Sequence, residues 1–383
     1  MNTSQRLSLV AAVAALTLVA AACGDSKSSS TTTAPATTAA AATTASPATT
    51  GGPATTMAPD SLSATLDASG STFVKAFLEE SISRFTKANS GVTINYAGGG
   101  SGKGRQDLAD QIVAFAGSDG TIKDADLPNF KGGSVLYFPV AVAPITVSFN
   151  VSGVDTLSLS PTTIAKIFQV QITKWNDPAI VAENPGMTLP DKDIVVVHRT
   201  DSSGTTGNFT KFLDKAVGKD SGNVWTLGAD STVEWSPDTQ AAEGNGGVAQ
   251  LVGSTDGAIG YVDFSDAVKA GLKFAAIQNK AGKFVDATLD GASAAAAGAK
   301  IADNLTFSAV WAEGDAAYPI TAQTWIIAYT NQTDKAKGEA LKAFLQFILT
   351  DGQTFAKDVN YAALPGDLAA KAIAQLDKLT LPA

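Results

Sequence analysis

One cysteine and one histidine, Cys23 and His198, occur among 383 residues. A single cysteine excludes an internal disulfide framework, so the fold must rest on its apolar core. A single histidine leaves a metal site unsupported. It also makes a Ser–His–Asp triad depend on one imidazole inside a strand beside Arg199, where a packed neighbour is the simpler expectation. Positive charge is scarce too: the formal net charge is −9. That balance disfavours a polyanion such as nucleic acid as partner, but permits a small anion held by local dipoles.

The N-terminus reads as an exported protein's leader. Arg6 is the sole charge in residues 1–22, and Leu7–Ala22 is apolar or small apart from Ser8 and Thr17. The run is too short for a comfortable membrane span and ends in small residues. Val19-Ala20-Ala21-Ala22-Cys23-Gly24 resembles a bacterial lipobox, with Ala20 where leucine is usual, and makes Cys23 the expected lipidation site. Removing residues 1–22 takes only Arg6 from the balance, leaving −10. Residues 27–60 are almost all Ser, Thr, Ala, Pro and Gly. Such a segment has too little apolar bulk to offset its ordering entropy. Residues 23–61 are therefore expected to be a lipidated cysteine and a disordered tether, reaching on the order of 30 Å.

From Leu62 onward the composition is globular. Roughly 320 residues exceed one comfortable core and predict two lobes. Three places share one grammar: a strand-like run, a Gly/Ser/Thr turn, then a helical pattern. The first is Ala68–Thr72 followed by Phe73, Val74, Phe77, Leu78, Ile82 and Phe85 on one face. The second is the alternating Val92–Tyr96, the turn Ala97–Gly102, and a helix carrying Leu108, Ile112 and Val113. The third is the apolar strand Ile194–Arg199, the turn Thr200–Thr206, and a helix with Phe209, Phe212 and Leu213. Further strands are expected in the apolar run from Tyr137 through Phe149, at Ala258–Val262 and at Trp325–Tyr329, with a helix over about Lys335–Leu349. Strands alternating with helices predict a mostly parallel α/β architecture.

A Gly/Ser/Thr turn opening a helix presents free backbone N–H groups and the positive end of the helix dipole, an anion site that needs no cationic residue. Any one such turn is also simply a good cap; three in one chain favour a ligand. Arg199, four residues before Ser203, adds paired donors suited to a tetrahedral oxyanion, and Asp201 is placed to orient it. Asp119, in Phe115–Gly120, is an acceptor within a donor site. It would accept from an oxyanion that keeps a proton, as hydrogenphosphate does, and repel sulfate, which keeps none.

These segments resemble the phosphate-specific substrate-binding lipoproteins of ABC-type importers, from about Leu66 to near the C-terminus. The resemblance is carried by Gly70–Phe73, Gly98–Gly104, Gly117–Asp119 and His198–Thr206, with Ile172–Ile180, Ala258–Phe264 and Tyr318–Thr321. It implies phosphate contacts at Thr72, Phe73, Ser101, Asp119, Arg199, Ser203, Gly204 and Thr205, with Asp201 bracing the arginine. Lys103 stands where the family often has a small residue, adding charge at the cleft mouth or lying solvated. Gly117 replaces a common alanine without expected harm. The implied fold is a bilobal class II periplasmic-binding fold: two mixed-sheet lobes, residues 62–141 with 319–383 and residues 142–318, joined by a two-segment hinge. The implied function is high-affinity capture of inorganic phosphate, without catalysis or cofactor, and delivery to the permease and ATPase subunits of an importer. The protein would be a monomer anchored by lipid to the outer face of the cytoplasmic membrane. The rival from another class is a surface phosphohydrolase or phosphate scavenger using the same pocket. A nucleotide-binding P-loop fails at two positions, Ala97 and Gly104.

Overall fold

Val92 and Ile94 are buried while Thr93 and Asn95 are exposed, as period-2 alternation requires of a strand covered on one face. By contrast, the run from Tyr137 to Phe149 is buried at every position, which marks a strand covered on both faces. The computed structural model describes residues 62–383. The expected leader, the lipid site at Cys23 and the tether lie outside the described residues. In chain order the first lobe-sized stretch holds β1 (Ala64–Gly70), α1 (Lys75–Ala88), β2 (Val92–Gly99), α2 (Gly100–Ala109), β3 (Phe115–Ser118) and β4 (Val135–Asn150). Next come β5 (Ser158–Leu159), α3 (Pro161–Phe168), α4 (Pro178–Glu183), β6 (Val195–Arg199), α5 (Gly204–Val217), β7 (Gln240–Ala242), α6 (Gly244–Ser254) and β8 (Ala258–Asp263). The remainder is α7 (Phe264–Lys269), β9 (Lys273–Phe274), β10 (Ala276–Gln278), β11 (Phe284–Val285), α8 (Leu289–Ala297), β12 (Thr321–Tyr329), α9 (Lys335–Leu349), α10 (Asp351–Phe355) and α11 (Gly366–Gln375).

The main sheet has the order β2-β1-β3-β12-β4-β8-β6-β7, with β9 against β4; β11-β10-β5 form a small separate sheet. The expected mostly parallel arrangement holds only at the two ends. There β1 pairs β2 and β3 in parallel, and β6 pairs β7 and β8 in parallel. The middle is antiparallel, because β12 pairs both β3 and β4, and β4 pairs β8. The sheet is therefore mixed. β4 explains this: residues 135–144 pair with β12, and residues 145–150 pair with β8. One strand thus belongs to both halves. Pro144 stands at the changeover, where a residue without an N–H interrupts the ladder least. Pro139 lies beside the register shift opposite Thr324/Trp325, another position that tolerates proline.

Helix starts and ends shift slightly from expectation. α1 begins at Lys75 with no side-chain cap, so Thr72 belongs to the turn before the helix. α2 stops at Ala109, and Ile112, expected on its apolar face, is 65% exposed. The backbone of Gln111 turns left-handed at φ 60°, which ends the helix before Ile112 can join its face. Phe77, Phe85, Phe209, Phe212 and Leu213 are buried as expected. Among the described residues no helix is long and apolar enough to cross a membrane.

Candidate functional site

The site forms where β1, β3, β6 and β7 end, which is where open α/β sheets hold ligands. β1 delivers Gly70 into the Ser71–Thr72–Phe73 turn, β3 delivers Asp119, and β6 delivers Arg199 as its last residue. Ser101 lies in the first turn of α2. Ser203 is the N-cap of α5; its Oγ accepts from the Thr206 N–H at 3.1 Å. That leaves the Ser203 hydroxyl hydrogen free to donate.

Asp119 is only 1% exposed, and its carboxylate is surrounded by hydroxyls. Ser71 Oγ donates to Oδ2 at 2.6 Å, Ser101 Oγ to Oδ2 at 3.2 Å, and Thr324 Oγ1 to Oδ1 at 2.7 Å. Burial pushes the Asp119 carboxyl above its ordinary pKa, more than these hydrogen bonds and the charge of Arg199 pull it down. The backbone is fixed separately, since Asn208 Nδ2 donates to Asp119 O at 2.8 Å.

Arg199 is buried with Asp201. Its Nε donates to Asp201 Oδ1 at 2.7 Å, and Nη2 donates to Oδ2. Asp201 also accepts from the Gly244 N–H at 3.1 Å. Burial raises the Asp201 pKa, but the hydrogen bonds and charge of Arg199 outweigh this and leave it below the ordinary value. Tyr261 supports the pair from beneath: its hydroxyl accepts from the Arg199 N–H at 3.1 Å and lies 2.6 Å from Thr206 Oγ1. Burial pushes that phenol up to about 12. His198 is half-buried, stacked on Trp235 at 4.9 Å, and bonded to Thr239 Oγ1 through Nε2; this is the packed neighbour that the sequence predicts.

The structure brings the predicted residues from both halves of the sheet together. Gly204 sits against the other half so closely that a Cβ there would lie 2.3 Å from Ser101 Oγ and 2.6 Å from Asp119 Oδ2. Arg199 Nη1 reaches Thr205 Oγ1 at 3.4 Å. Phe73 differs from the rest: its ring packs on Tyr361 in the core, so only its backbone faces the turn, with the N–H donating to Ser71 Oγ at 3.0 Å. Lys103 is held by Asp107 at 2.6 Å, so its charge is locally neutralised rather than free at the cleft mouth. Gly117 makes room for Tyr96, because a Cβ there would lie 2.3 Å from the Tyr96 hydroxyl, which donates to Ser71 O.

Asn245 is the main residue that sequence reasoning misses. It is fully buried, and its Nδ2 donates to Thr72 Oγ1 and to Thr205 Oγ1, each at 3.1 Å. It thereby ties the two halves of the site. A signal was present: Gln240–Ala242 followed by Gly244-Asn245-Gly246 is a fourth strand-turn-helix unit. Ser71 and Thr324 are missed for a different reason, since only the folded sheet brings them to Asp119.

Asp119 gives a pH test. A carboxyl whose folded pKa is raised contributes stability that is present below 3.8, its ordinary value, and lost as pH rises through the folded pKa. Replacing it by asparagine removes this term. Asp119→Asn should therefore lose less thermal stability than wild type on going from about pH 4 to about pH 7. Melting curves at both pH values check this, and an equal change in the two proteins counts against it.

The family described as PBP superfamily domain matches residues 27–352. A phosphate-binding protein PstS of Xylella fastidiosa is 32% identical over 312 residues, covering 80% of this chain and 83% of the relative. A phosphate-binding protein PstS of Methanocaldococcus jannaschii is 35% identical over 326 residues, covering 79% and 82%. The solved phosphate-binding protein of Stenotrophomonas maltophilia is 21% identical, covers 81% of this chain and 93% of its own, and superposes with a TM-score of 0.64. The bilobal α/β fold, the meeting of four strand ends and this degree of identity agree: the chain belongs to the PBP superfamily and, within it, to the PstS family of phosphate-binding proteins.

Proposed function

We propose that this protein captures inorganic phosphate between its lobes and delivers it to an ABC-type importer. The observation that carries the reading is the pairing of one braced guanidinium with one buried carboxylate acceptor, Arg199 and Asp119, across a cleft lined by helix starts. Thr72, Ser203 and Thr205 supply hydroxyl donors and Ser101 and Gly204 backbone donors, the Phe73 N–H turns to the anion from Ser71 Oγ, and Asp201 fixes the guanidinium. A phosphate bridging the halves stabilises the closed arrangement, because donors from both reach it only there. Lobe one comprises residues 62–141 and 319–383, and lobe two residues 142–318. The changeover of β4 from β12 to β8 at Pro144/Ile145, three residues past that boundary, supports a crossing between lobes within β4. The protein acts as a monomer and binds without turnover, since Arg199 and Asp201 neutralise each other and His198 is engaged by Thr239 rather than by a serine. Steady product release from a chromogenic phosphomonoester would reverse this part of the reading in favour of a phosphohydrolase.

Export and anchoring complete the proposal. Cys23 follows the small residues of a leader and precedes a Ser/Thr/Ala/Pro tether, an order that suits lipid attachment on the outer face of the cytoplasmic membrane. The permease and ATPase subunits of the importer are the protein partners.

Three outcomes test these statements. Arg199→Ala should weaken phosphate binding by about 3 kcal/mol or more, roughly a hundredfold in Kd, since a charge-assisted contact is lost in a dry cleft. Calorimetric titration of folded variant and wild type reads this directly, and near-normal affinity would reject the assignment. Asp119→Asn should admit sulfate as a competitor of phosphate, because the amide no longer repels an unprotonated oxyanion; continued indifference to sulfate would defeat the selectivity argument. Cys23→Ser should move the protein from the membrane fraction to the soluble one, and unchanged fractionation speaks against a lipid anchor.

A further inference from the structure

Beside the Asp119 backbone lies a cavity of about 350 Å³ that shares Asp119 and Gly204 with the site described above and is otherwise lined by residues outside its expected phosphate contacts. Its wall toward the site consists of hydrogen bonds between the halves. Asn208 Nδ2 donates to Asp119 O at 2.8 Å, and Gln323 Nε2 donates to Asn208 Oδ1 at 3.1 Å. Four cationic side chains line the cavity: Arg105 of α2, Lys123, and Lys211 and Lys215 of α5.

Lys123 is neutralised by Asp230 at 2.6 Å. Among the described residues the other three have no carboxylate within ion-pair distance. Arg105 is half-buried, and its Nη1 donates to Ser118 Oγ at 2.9 Å, which leaves most of its five N–H groups uncommitted. Lys215 Nζ donates to Val310 O at 3.1 Å and sits in the last turn of α5, where the helix dipole favours a cation. Lys211, one turn earlier, is half-buried without that support. The two lysines are an i,i+4 like-charge pair, which is unfavourable on a helix. Burial lowers the Lys211 pKa, and that of the more exposed Lys215 is lowered by desolvation together with the charges of Lys211 and Lys280.

Three carboxylates also line the space. Asp230 is taken by Lys123, and the carboxylate of Asp119 is bonded by three neutral hydroxyls while its charge acts on Arg105. Asp214 is left against Arg105, Lys211 and Lys215. In a chain of net charge −9, this is a local cationic excess next to a buried anion site, and an oxyanion is the partner that its donors fit.

We propose that the cavity is a second, weaker oxyanion site: a loading site that takes up hydrogenphosphate at the cleft and passes it to the buried site when the Asn208–Asp119 wall opens. The proposal rests on the phosphate reading of the buried site. With Asp214 its only carboxylate not already engaged, the loading site admits sulfate as well as hydrogenphosphate, so selectivity resides at Asp119.

The test is stopped-flow mixing of the whole protein with inorganic phosphate, read by tryptophan fluorescence, since Trp325 lines the cavity. Lys211→Gln/Lys215→Gln should slow association about three- to tenfold at low ionic strength, with the difference closing as salt screens the charges. Dissociation should stay within about twofold of wild type, because steering acts on arrival. Sulfate at low ionic strength should slow phosphate association in wild type without displacing bound phosphate, and should have little such effect in the double variant. Equal association rates in the two proteins overturn the loading site. So does a variant that gains only in dissociation rate, which would place the lysines in the closed state instead. Failure of the phosphate reading is distinguishable: wild type would then give neither a fluorescence change nor calorimetric heat with phosphate, and both proposals would fall.

Discussion

Arg199 must stay charged in a place that excludes water, and the architecture around it answers that constraint. Its side chain is 1% exposed and that of Asp201 11%. An unpaired buried guanidinium would be costly by several kcal/mol, so Asp201 takes one edge of the fork through Nε and Nη2. Gly244 holds Asp201, and Tyr261 holds the Arg199 backbone. Nη1, turned toward Thr205, and the second Nη2 hydrogen remain. The guanidinium therefore reaches the cleft with one edge fixed and one edge offered. An arriving anion meets oriented donors rather than a large positive field, which is compatible with an acidic protein.

Asp119 limits what can be held there. A carboxylate has about four lone-pair positions. Ser71 and Ser101 occupy two on one oxygen, and Thr324 occupies one on the other. One position is left, enough for a single O–H from a ligand. The three hydroxyls that fill the others draw its pKa down, but burial outweighs them and holds it above the ordinary value. The carboxylate is thus tightly fixed with a single acceptor position open, so whether the ligand facing it carries a proton decides whether that position is filled.

Much of this was legible before folding. The three strand-turn-helix units placed Ser101, Arg199 and Ser203 at element boundaries, and the apolar run through Phe149 announced a central strand. What stayed hidden depended on pairing between distant segments. Nothing local in Thr321–Tyr329 says that it runs antiparallel between β3 and β4, and Thr324 reaches Asp119 only through that register. Asn245 follows a strand of only three residues, so the glycines around it, rather than periodicity, were its one local signal. The helix over Lys335–Leu349 was fully readable because its apolar spacing is regular. The end of α2 was not, because the left-handed turn at Gln111 carries no glycine to mark it.

Glycine is where the sequence reading and the structure part most usefully. Read locally, Gly100, Gly102 and Gly204 are turn and cap residues. In the fold each is a contact between the halves: a Cβ would meet Asp201 Oδ2 at 2.3 Å from Gly100, Ser202 Oγ at 2.1 Å from Gly102, and Ser101 Oγ at 2.3 Å from Gly204. The Gly102 N–H donates to Ser202 O at 2.9 Å, so one half's helix start binds the other half's turn directly. Backbone therefore touches backbone across the cleft, and the distance between the two sets of donors is set by peptide geometry. The exposed Lys123–Asp230 pair adds little to this, since exposed ion pairs contribute at most about 1 kcal/mol. A closed state defined by backbone contact has little freedom to widen, which is how neutral donors from two halves can be held at one spacing suited to a small tetrahedral ion.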